Sequence, residues 1–256
     1  MRPHIAAIYA FARTADDFAD EGVLTVAERL ARLDDWQARL HESTAGRVRS
    51  DDFDAANVFT ALAETMRTCD LDVSLFDDLL GAFRQDVTVR RYETWTDLLD
   101  YCRRSANPVG RLVLRVAGYR DPVLDASSDA LCTALQLTNF WQDVAIDWGK
   151  GRVYVPQEVV RAAGADERDL AARTISPAWK NALQVAADGT RRLFDDGRGV
   201  VDGVGGRLKW ELRATWLGGV RILHQLQSSG FDVFRQRPAL KWTDAALIGW
   251  RALRWR

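Results

Sequence analysis

The chain has 256 residues, 47% of them apolar and 28% charged, which is the balance of a folded globular protein with material for a large core. Its 35 basic and 36 acidic side chains nearly cancel, so no overall field draws it to nucleic acid, and three histidines and three scattered cysteines (Cys69, Cys102, Cys132) supply neither a zinc cluster nor a disulfide framework. No run of about eighteen apolar residues and no signal-peptide order occurs, so a cytoplasmic chain that does not cross a membrane is expected, its chemistry left to carboxylates.

Helical periodicity dominates, with no sustained strand-like alternation. Ile5, Ile8, Tyr9 and Phe11 open an apolar helix that leads into Asp16, Asp17 and Asp20. Val26, Leu30, Leu33, Trp36 and Leu40 recur at three- and four-residue steps, as do Leu75, Phe76, Leu79, Leu80, Phe83 and Val87, and each set predicts an amphipathic helix. Another is expected to start at Thr94 or Thr96, where a hydroxyl can cap orphan amides, and to run through Leu98, Leu99 and Cys102 toward Val116. Ser176 before Pro177 marks a further start, because proline lacks the amide that would go unbonded there; that helix runs to about Phe194. Turn residues place breaks at 43–52, 118–122, 148–156, 197–206 and 228–230. With no repeat and only short connections, the expectation is an all-α protein, a single helical domain over 1–256.

Asp16 and Asp20 share one helix face about a turn apart, with Asp17 beside them. Like charges so placed destabilise a helix by roughly 0.2–0.5 kcal/mol per pair, and no lysine sits nearby to relieve them. One reading is a solvated acidic face. The other is a magnesium site, because Mg2+ takes hard oxygens, keeps some waters and is shared with substrate phosphates. The apolar residues upstream favour the second.

Asn139, Asp143 and Asp147 stand at i, i+4 and i+8, and each such step overshoots a full turn by about 40°, which predicts a slowly winding polar stripe. The helix beneath it is apolar at Leu137, Phe140, Trp141, Val144 and Ile146. Unpaired carboxylates on such a helix are costly, and a cation bridging the two strips to a diphosphate offsets that cost. Gly149-Lys150-Gly151-Arg152 follows, a basic loop in which Arg152 offers a planar fork and Lys150 a mobile charge to phosphate oxygens. An ordinary turn with Lys150 paired to Asp147 is the competing reading.

Arg13-Thr-Ala-Asp16-Asp17-Phe-Ala-Asp20-Glu21, Gln136-Leu-Thr-Asn139-Phe-Trp-Gln-Asp143-Val-Ala-Ile-Asp147 and Gly151-Arg152-Val-Tyr154-Val-Pro156 together resemble the squalene/phytoene synthase family. Tyr101-Cys-Arg-Arg-Ser-Ala-Asn-Pro108-Val109-Gly110 is similar to that family's cavity-lining helix, and the resemblance covers essentially the whole chain. It implies the class I isoprenoid synthase fold, a helical bundle around a central cavity in which two aspartate-rich helices face each other and Mg2+ clamps a diphosphate. The Asn-Phe-Trp-Gln-Asp form of the second motif most resembles the hydroxysqualene synthase branch of hopanoid biosynthesis. That implies ionisation of presqualene diphosphate, rearrangement and capture by water, with no nicotinamide cofactor. The roles implied are metal binding for Asp16, Asp17, Asp20, Asn139, Asp143 and Asp147, and diphosphate contact for Arg13, Lys150 and Arg152. Tyr101, Val109, Gly110 and Gln136 are assigned to substrate. Tyr9 either contacts diphosphate or guides water, or is a core tyrosine.

Two departures from the family bear on this. Gln142 stands where condensing members carry arginine, so one phosphate-binding charge is missing, which favours a single-diphosphate substrate. Met1 lies only fifteen residues before Asp16, so the family's earlier helical segment is expected to be lacking. The competing functions are head-to-head condensation of prenyl diphosphates, a non-catalytic assembly factor, and a membrane-binding helical module. The last rests on Trp242, Trp250 and Trp255 alternating with Lys241, Arg251, Arg254 and Arg256, a pattern that suits either peripheral contact with anionic lipid or packing of the tryptophans on the core.

Overall fold

The computed structural model describes residues 1–20 and 22–255. Glu21 and Arg256, both named above, lie outside the described residues. In chain order the helices are α1 (Arg2–Asp20), α2 (Val26–Thr44), α3 (Phe53–Cys69), α4 (Ser74–Thr88), α5 (Trp95–Ser105), α6 (Asn107–Val116) and α7 (Pro122–Gln142). There follow α8 (Val144–Gly149), α9 (Gln157–Ala162), α10 (Glu167–Ala171), α11 (Pro177–Asp196), α12 (Arg198–Gly203), α13 (Gly206–Ser228) and α14 (Trp242–Leu253). Among the described residues the only β pairing is an isolated parallel bridge between Arg91 and Val153, so the all-α expectation holds.

The chain divides into two compact units, Met1–Val89 with Arg103–Asp121, and Arg90–Cys102 with Pro122–Arg256. In the first, α1 packs against α2, α3 and α4. Its centre is aromatic: Phe11, fully buried, stacks on Trp36 at 5.9 Å and meets Phe59 and Phe76 edge-on at 6.0 and 5.4 Å. Phe11, Trp36 and Phe76 are stripe residues of the predicted helices, with Leu33, Leu40, Leu79 and Leu80 closing the same core, while Phe59 comes from α3, a helix the sequence pattern did not mark. Thr25 and Glu28 form a reciprocal capping box that starts α2, the Thr25 hydroxyl taking the Glu28 amide and the Glu28 carboxylate taking the Thr25 amide.

In the second unit α7 is the hub and packs against α11, α12 and α13. Trp141 is fully buried and donates its indole N–H to Thr190 at 2.8 Å, so a polar atom inside this core is satisfied. Ser176 caps α11 as predicted, its hydroxyl accepting from the Trp179 amide at 3.3 Å.

Two boundaries differ from expectation. The helix expected from Thr94 to Val116 does start behind Thr94, which exchanges hydrogen bonds with Asp97, but it is two helices broken at Ala106. Pro108 is the cause: it has no amide to donate and its ring clashes with the carbonyl four residues back, so it sits in the first turn of a new helix. The 197–206 segment, expected as a break, contains α12 with Val200 and Val201 buried. Its glycines serve close packing on α7: a Cβ on Gly197 would lie 2.7 Å from the Leu131 amide nitrogen, and one on Gly203 would lie 2.3 Å from Leu124 Cδ2. The turn-like composition is therefore a record of helix-to-helix approach.

Candidate active site

On α1, Tyr9, Arg13, Asp16, Asp17 and Asp20 fall on one face, opposite the buried Phe11, Ala15 and Ala19. Tyr9 is 67% exposed, so the core-tyrosine reading is corrected: its position on this side of the helix keeps the ring out of the core. No lysine stands near these acids, but an arginine relieves them. Arg13 reaches Asp16 at 3.2 Å and Asp17 at 2.7 Å, because its long side chain spans one turn. The carboxylates nonetheless sit at the C-terminal end of α1, where the helix dipole disfavours negative charge. Arg29 of α2 answers this in part, donating to the carbonyls of Ala19 at 2.6 Å, Gly22 at 2.9 Å and Phe18 at 3.3 Å. These are the orphan acceptors at a helix terminus.

In the second unit the predicted uninterrupted stripe is corrected to two helices meeting at Asp143. The backbone there (φ −105°, ψ 13°) lies in the bridge region, which turns the chain and is common at active sites. The hydrogen-bond ladder nevertheless carries through, Asp143 N to Asn139 O and Asp147 N to Asp143 O, each at 2.8 Å. Asn139 is exposed; Gln136, Asp143 and Asp147 are half-buried.

Both carboxylate oxygens of Asp143 are engaged by Arg237, Nε to Oδ1 at 2.5 Å and Nη2 to Oδ2 at 3.1 Å. Hydrogen bonding to this carboxylate raises the Arg237 pKa above its ordinary value, so the fork is firmly cationic. Gln142, next to Asp143, instead turns inward: its side chain is buried and its amide donates to the Pro238 carbonyl. The absence of arginine at position 142 therefore does not leave the motif aspartate without a cation. Position 142 lacks a cation, but the 237–238 segment supplies one beside the motif aspartate.

The basic loop closes on its own backbone. The Asp147 carbonyl accepts from the amides of Lys150 at 3.0 Å and Arg152 at 2.8 Å, and Gly151 takes φ +75°, which a side chain would resist. Arg91, the second residue of this unit, fixes the loop from outside by donating to the Gly151 carbonyl at 2.6 Å while it pairs with Glu167 at 2.6 Å. Val153 N bonds to Arg90 O at 3.0 Å, and Gln157 N to Tyr92 O at 2.9 Å. Lys150 is exposed and Arg152 buried.

Tyr101 is buried in an aromatic cluster with Tyr92 at 5.4 Å, Phe140 at 6.1 Å and Tyr154 at 6.2 Å; Phe140 and Tyr154 stack face to face at 3.7 Å. Phe140 is the residue after Asn139, so the helix that carries the second acid strip also supplies a ring to this cluster. Val109 and Gly110 lie on α6 in the first unit, Val109 exposed and Gly110 half-buried. Sequence reasoning missed Arg29, Arg91, Tyr92 and Arg237. None stands at motif spacing from the residue it serves, and Arg237 is 94 residues from Asp143.

Among the described residues no three acidic, histidine or cysteine side chains gather into a cage for a metal ion. Magnesium does not require one, since it takes one or two carboxylates and completes its shell with water and phosphate. Half-exposed carboxylates at Asp16 and Asp17 and the half-buried pair Asp143 and Asp147 are the right donors for that mode. A groove of the first unit, near 650 Å³ and lined by Thr44, Val48, Met66 and Leu71 among others, holds none of these residues.

The helices and their strips define an isoprenoid synthase fold of the all-α type. The squalene/phytoene synthase family model matches residues 1–244, and the chain belongs to that family. It is 40% identical over 196 residues to the hydroxysqualene synthase of Zymomonas mobilis, a match covering 75% of this chain and 63% of that protein, less than two thirds of its length. It is 39% identical over 254 residues to the hydroxysqualene synthase of Rhodopseudomonas palustris, covering 98% of this chain and 83% of that one. The crystal structure of squalene synthase HpnC from Alicyclobacillus acidocaldarius superposes with a TM-score of 0.82 at 39% identity, covering 90% of this chain and 84% of the other.

Proposed function

We propose that this chain ionises presqualene diphosphate and delivers water to the rearranged cation, giving hydroxysqualene and diphosphate. The carbon–oxygen bond to diphosphate breaks with its electron pair on the leaving group. A water oxygen then bonds to the cationic carbon and releases one proton. The observation that carries this reading is that both acid strips are intact in a chain so similar to hydroxysqualene synthases along almost its full length.

Asp16, Asp17, Asp20, Asn139, Asp143 and Asp147 offer the hard oxygens that would hold magnesium. When bound, Mg2+ neutralises charge that builds on the departing diphosphate. Arg13, Lys150, Arg152 and Arg237 bind its oxygens, a stabilisation that grows as the bond breaks. Tyr101 and its aromatic neighbours, with Val109, Gly110 and Gln136, contact the hydrocarbon and limit the water that reaches the cation. Tyr9 touches diphosphate or guides the capturing water. No nicotinamide is required, because no hydride is transferred.

Arg237 favours a second reading, since a guanidinium beside Asp143 removes the charge argument against binding two diphosphates: condensation of two farnesyl diphosphates. The test is incubation of the full chain with Mg2+ and either presqualene or farnesyl diphosphate, without reductant, followed by identification of the lipid. Hydroxysqualene from presqualene diphosphate, with release abolished by Asp16→Ala and Asp143→Ala, is the expected result. Consumption of farnesyl diphosphate as readily as presqualene diphosphate would replace the first reading by the second, and no diphosphate release from either substrate by folded protein would leave a non-catalytic role.

A further inference from the structure

α14 turns one apolar arc to solvent. On the other side Ala252 is buried and Leu247 and Ile248 are half-buried, and polar ties add to this packing: Asp244, buried, accepts from Arg221 Nε at 2.8 Å, the Lys241 amide at 2.9 Å and Gln225 at 3.3 Å, and Arg213 donates to the Ala252 carbonyl at 3.0 Å. On the solvent side Trp242, Trp250 and Leu253 are 85%, 52% and 73% exposed. At about 100° per residue they fall with the exposed Ala246 and Gly249 into one arc roughly 100° wide. Fraying does not account for this exposure, because the helix is tied at both ends. Trp255, just beyond it, donates to Asp202 at 2.7 Å and packs edge-on against Trp216 at 5.3 Å. Of the three tryptophans noted in the sequence, one is thus taken up by the protein and two are turned outward.

The charges that flank the arc along the chain are basic. Between residues 234 and 255 the exposed Arg235, Arg237, Lys241, Arg251 and Arg254 meet a single acid, Asp244, which is buried and paired; Arg237 is taken up by Asp143, Arg251 falls on the side away from the arc, and Lys241 and Arg254 stand at its two ends. Arg254 lies over the Trp250 ring at 4.7 Å, so its stem covers apolar surface while its head stays at the rim. A second copy docking on this face by two-fold symmetry would bring the same cations together, a like-charge cost. An anionic bilayer surface complements both features, since tryptophan settles at headgroup depth and basic side chains meet lipid phosphates. No helix among the described residues is long and apolar enough to cross a membrane, so the helix would lie in the surface plane.

We propose that α14 is a docking surface for anionic lipid bilayers, with Trp242, Trp250 and Leu253 entering the headgroup boundary and Lys241 and Arg254 pairing with phosphates. The inference stands apart from the reaction assigned above, since none of these residues belongs to the acid strips. The experiment is flotation of the full chain with phosphatidylglycerol-containing vesicles and with pure phosphatidylcholine vesicles, alongside light scattering of the protein alone. The chain should float with the anionic vesicles in low salt, and Trp242→Ser/Trp250→Ser should weaken that partitioning roughly tenfold or more. Lys241→Gln/Arg254→Gln should erase the preference for anionic lipid. Leu253→Gln gives an independent reading should the tryptophan variant melt early. Wild-type chain that stays down with both vesicle types, or floats as well when all of these positions are changed, overturns the proposal. So does a dimer that the tryptophan variant converts to monomer without vesicle binding, which would assign the face to a second copy.

Discussion

Replacing Arg237 by alanine tests whether this guanidinium serves the chemistry or merely the fold. The Arg237–Asp143 pair is bidentate, but the two side chains are 45% and 26% exposed, so solvent screening limits its stabilising value to about 0.2–1 kcal/mol. In a chain of this size 1 kcal/mol corresponds to about 2–4 °C in Tm, so Arg237→Ala should melt no more than about 4 °C below wild type. If the same fork binds the leaving diphosphate, deleting one preorganised donor should lower the rate about 10²–10³-fold. Arg237→Lys should recover only part of that loss, because it keeps the charge and loses the bidentate geometry. Differential scanning fluorimetry and a diphosphate-release assay on the same preparations separate the two effects. A large drop in Tm with normal turnover per folded molecule would make Arg237 a structural tie. Wild-type turnover with an unchanged Tm would make it a surface pair of no consequence, and either result refutes its placement in the site.

Gly219→Ala should destabilise the second unit, because the added methyl would sit 2.6 Å from Phe194 Cζ and 2.7 Å from Leu135 Cδ2. The overpacking cost of about 1–3 kcal/mol outweighs the roughly 1 kcal/mol that alanine gains in a helix, and urea titration reads the net. At the end of α2, Arg39 bridges Asp35 and Asp51 while Arg49 bridges Asp35 and Glu42, holding all three carboxyls below their ordinary values of 3.8, 3.8 and 4.5. Lowered carboxyl pKa values mean that the unfolded chain binds more protons, so this stabilisation is present above those ordinary values and is lost as pH falls through the folded ones. The Tm gap between wild type and Arg39→Gln should therefore be open at neutral pH and close in acid, and a gap independent of pH would contradict the assignment. Burial pushes the Cys102 thiol up to about 12, so native protein near pH 8 should resist alkylation there while Cys69 and Cys132, both partly accessible, react. Peptide mapping after native and denatured labelling checks this.

Local rules made much of the protein legible. Leu33, Trp36 and Leu40 mark a helix because a 3.6-residue period is written along the chain itself, and Ser176-Pro177 marks a start because the orphan amides of a first turn are satisfied by immediate neighbours. The acids of the two strips were visible for the same reason, each set being a local spacing on one helix. The same logic failed where a residue's meaning depends on what another helix brings to it. Gly197 and Gly203 read as turn formers and are contact points on α7. Pro108 was overlooked as the divider of α5 from α6.

The sequence by itself determined the helical class, the family and the identity of the acids, because periodicity and motif spacing are properties of neighbours along the chain. Only the tertiary structure decided that Gln142 faces inward, that Arg237 reaches Asp143 across 94 residues, and that Trp242 and Trp250 remain outside while Trp255 is packed. Those outcomes follow from the packing of distant helices, which sets where a long side chain can find a partner, and no interval in the sequence encodes that distance.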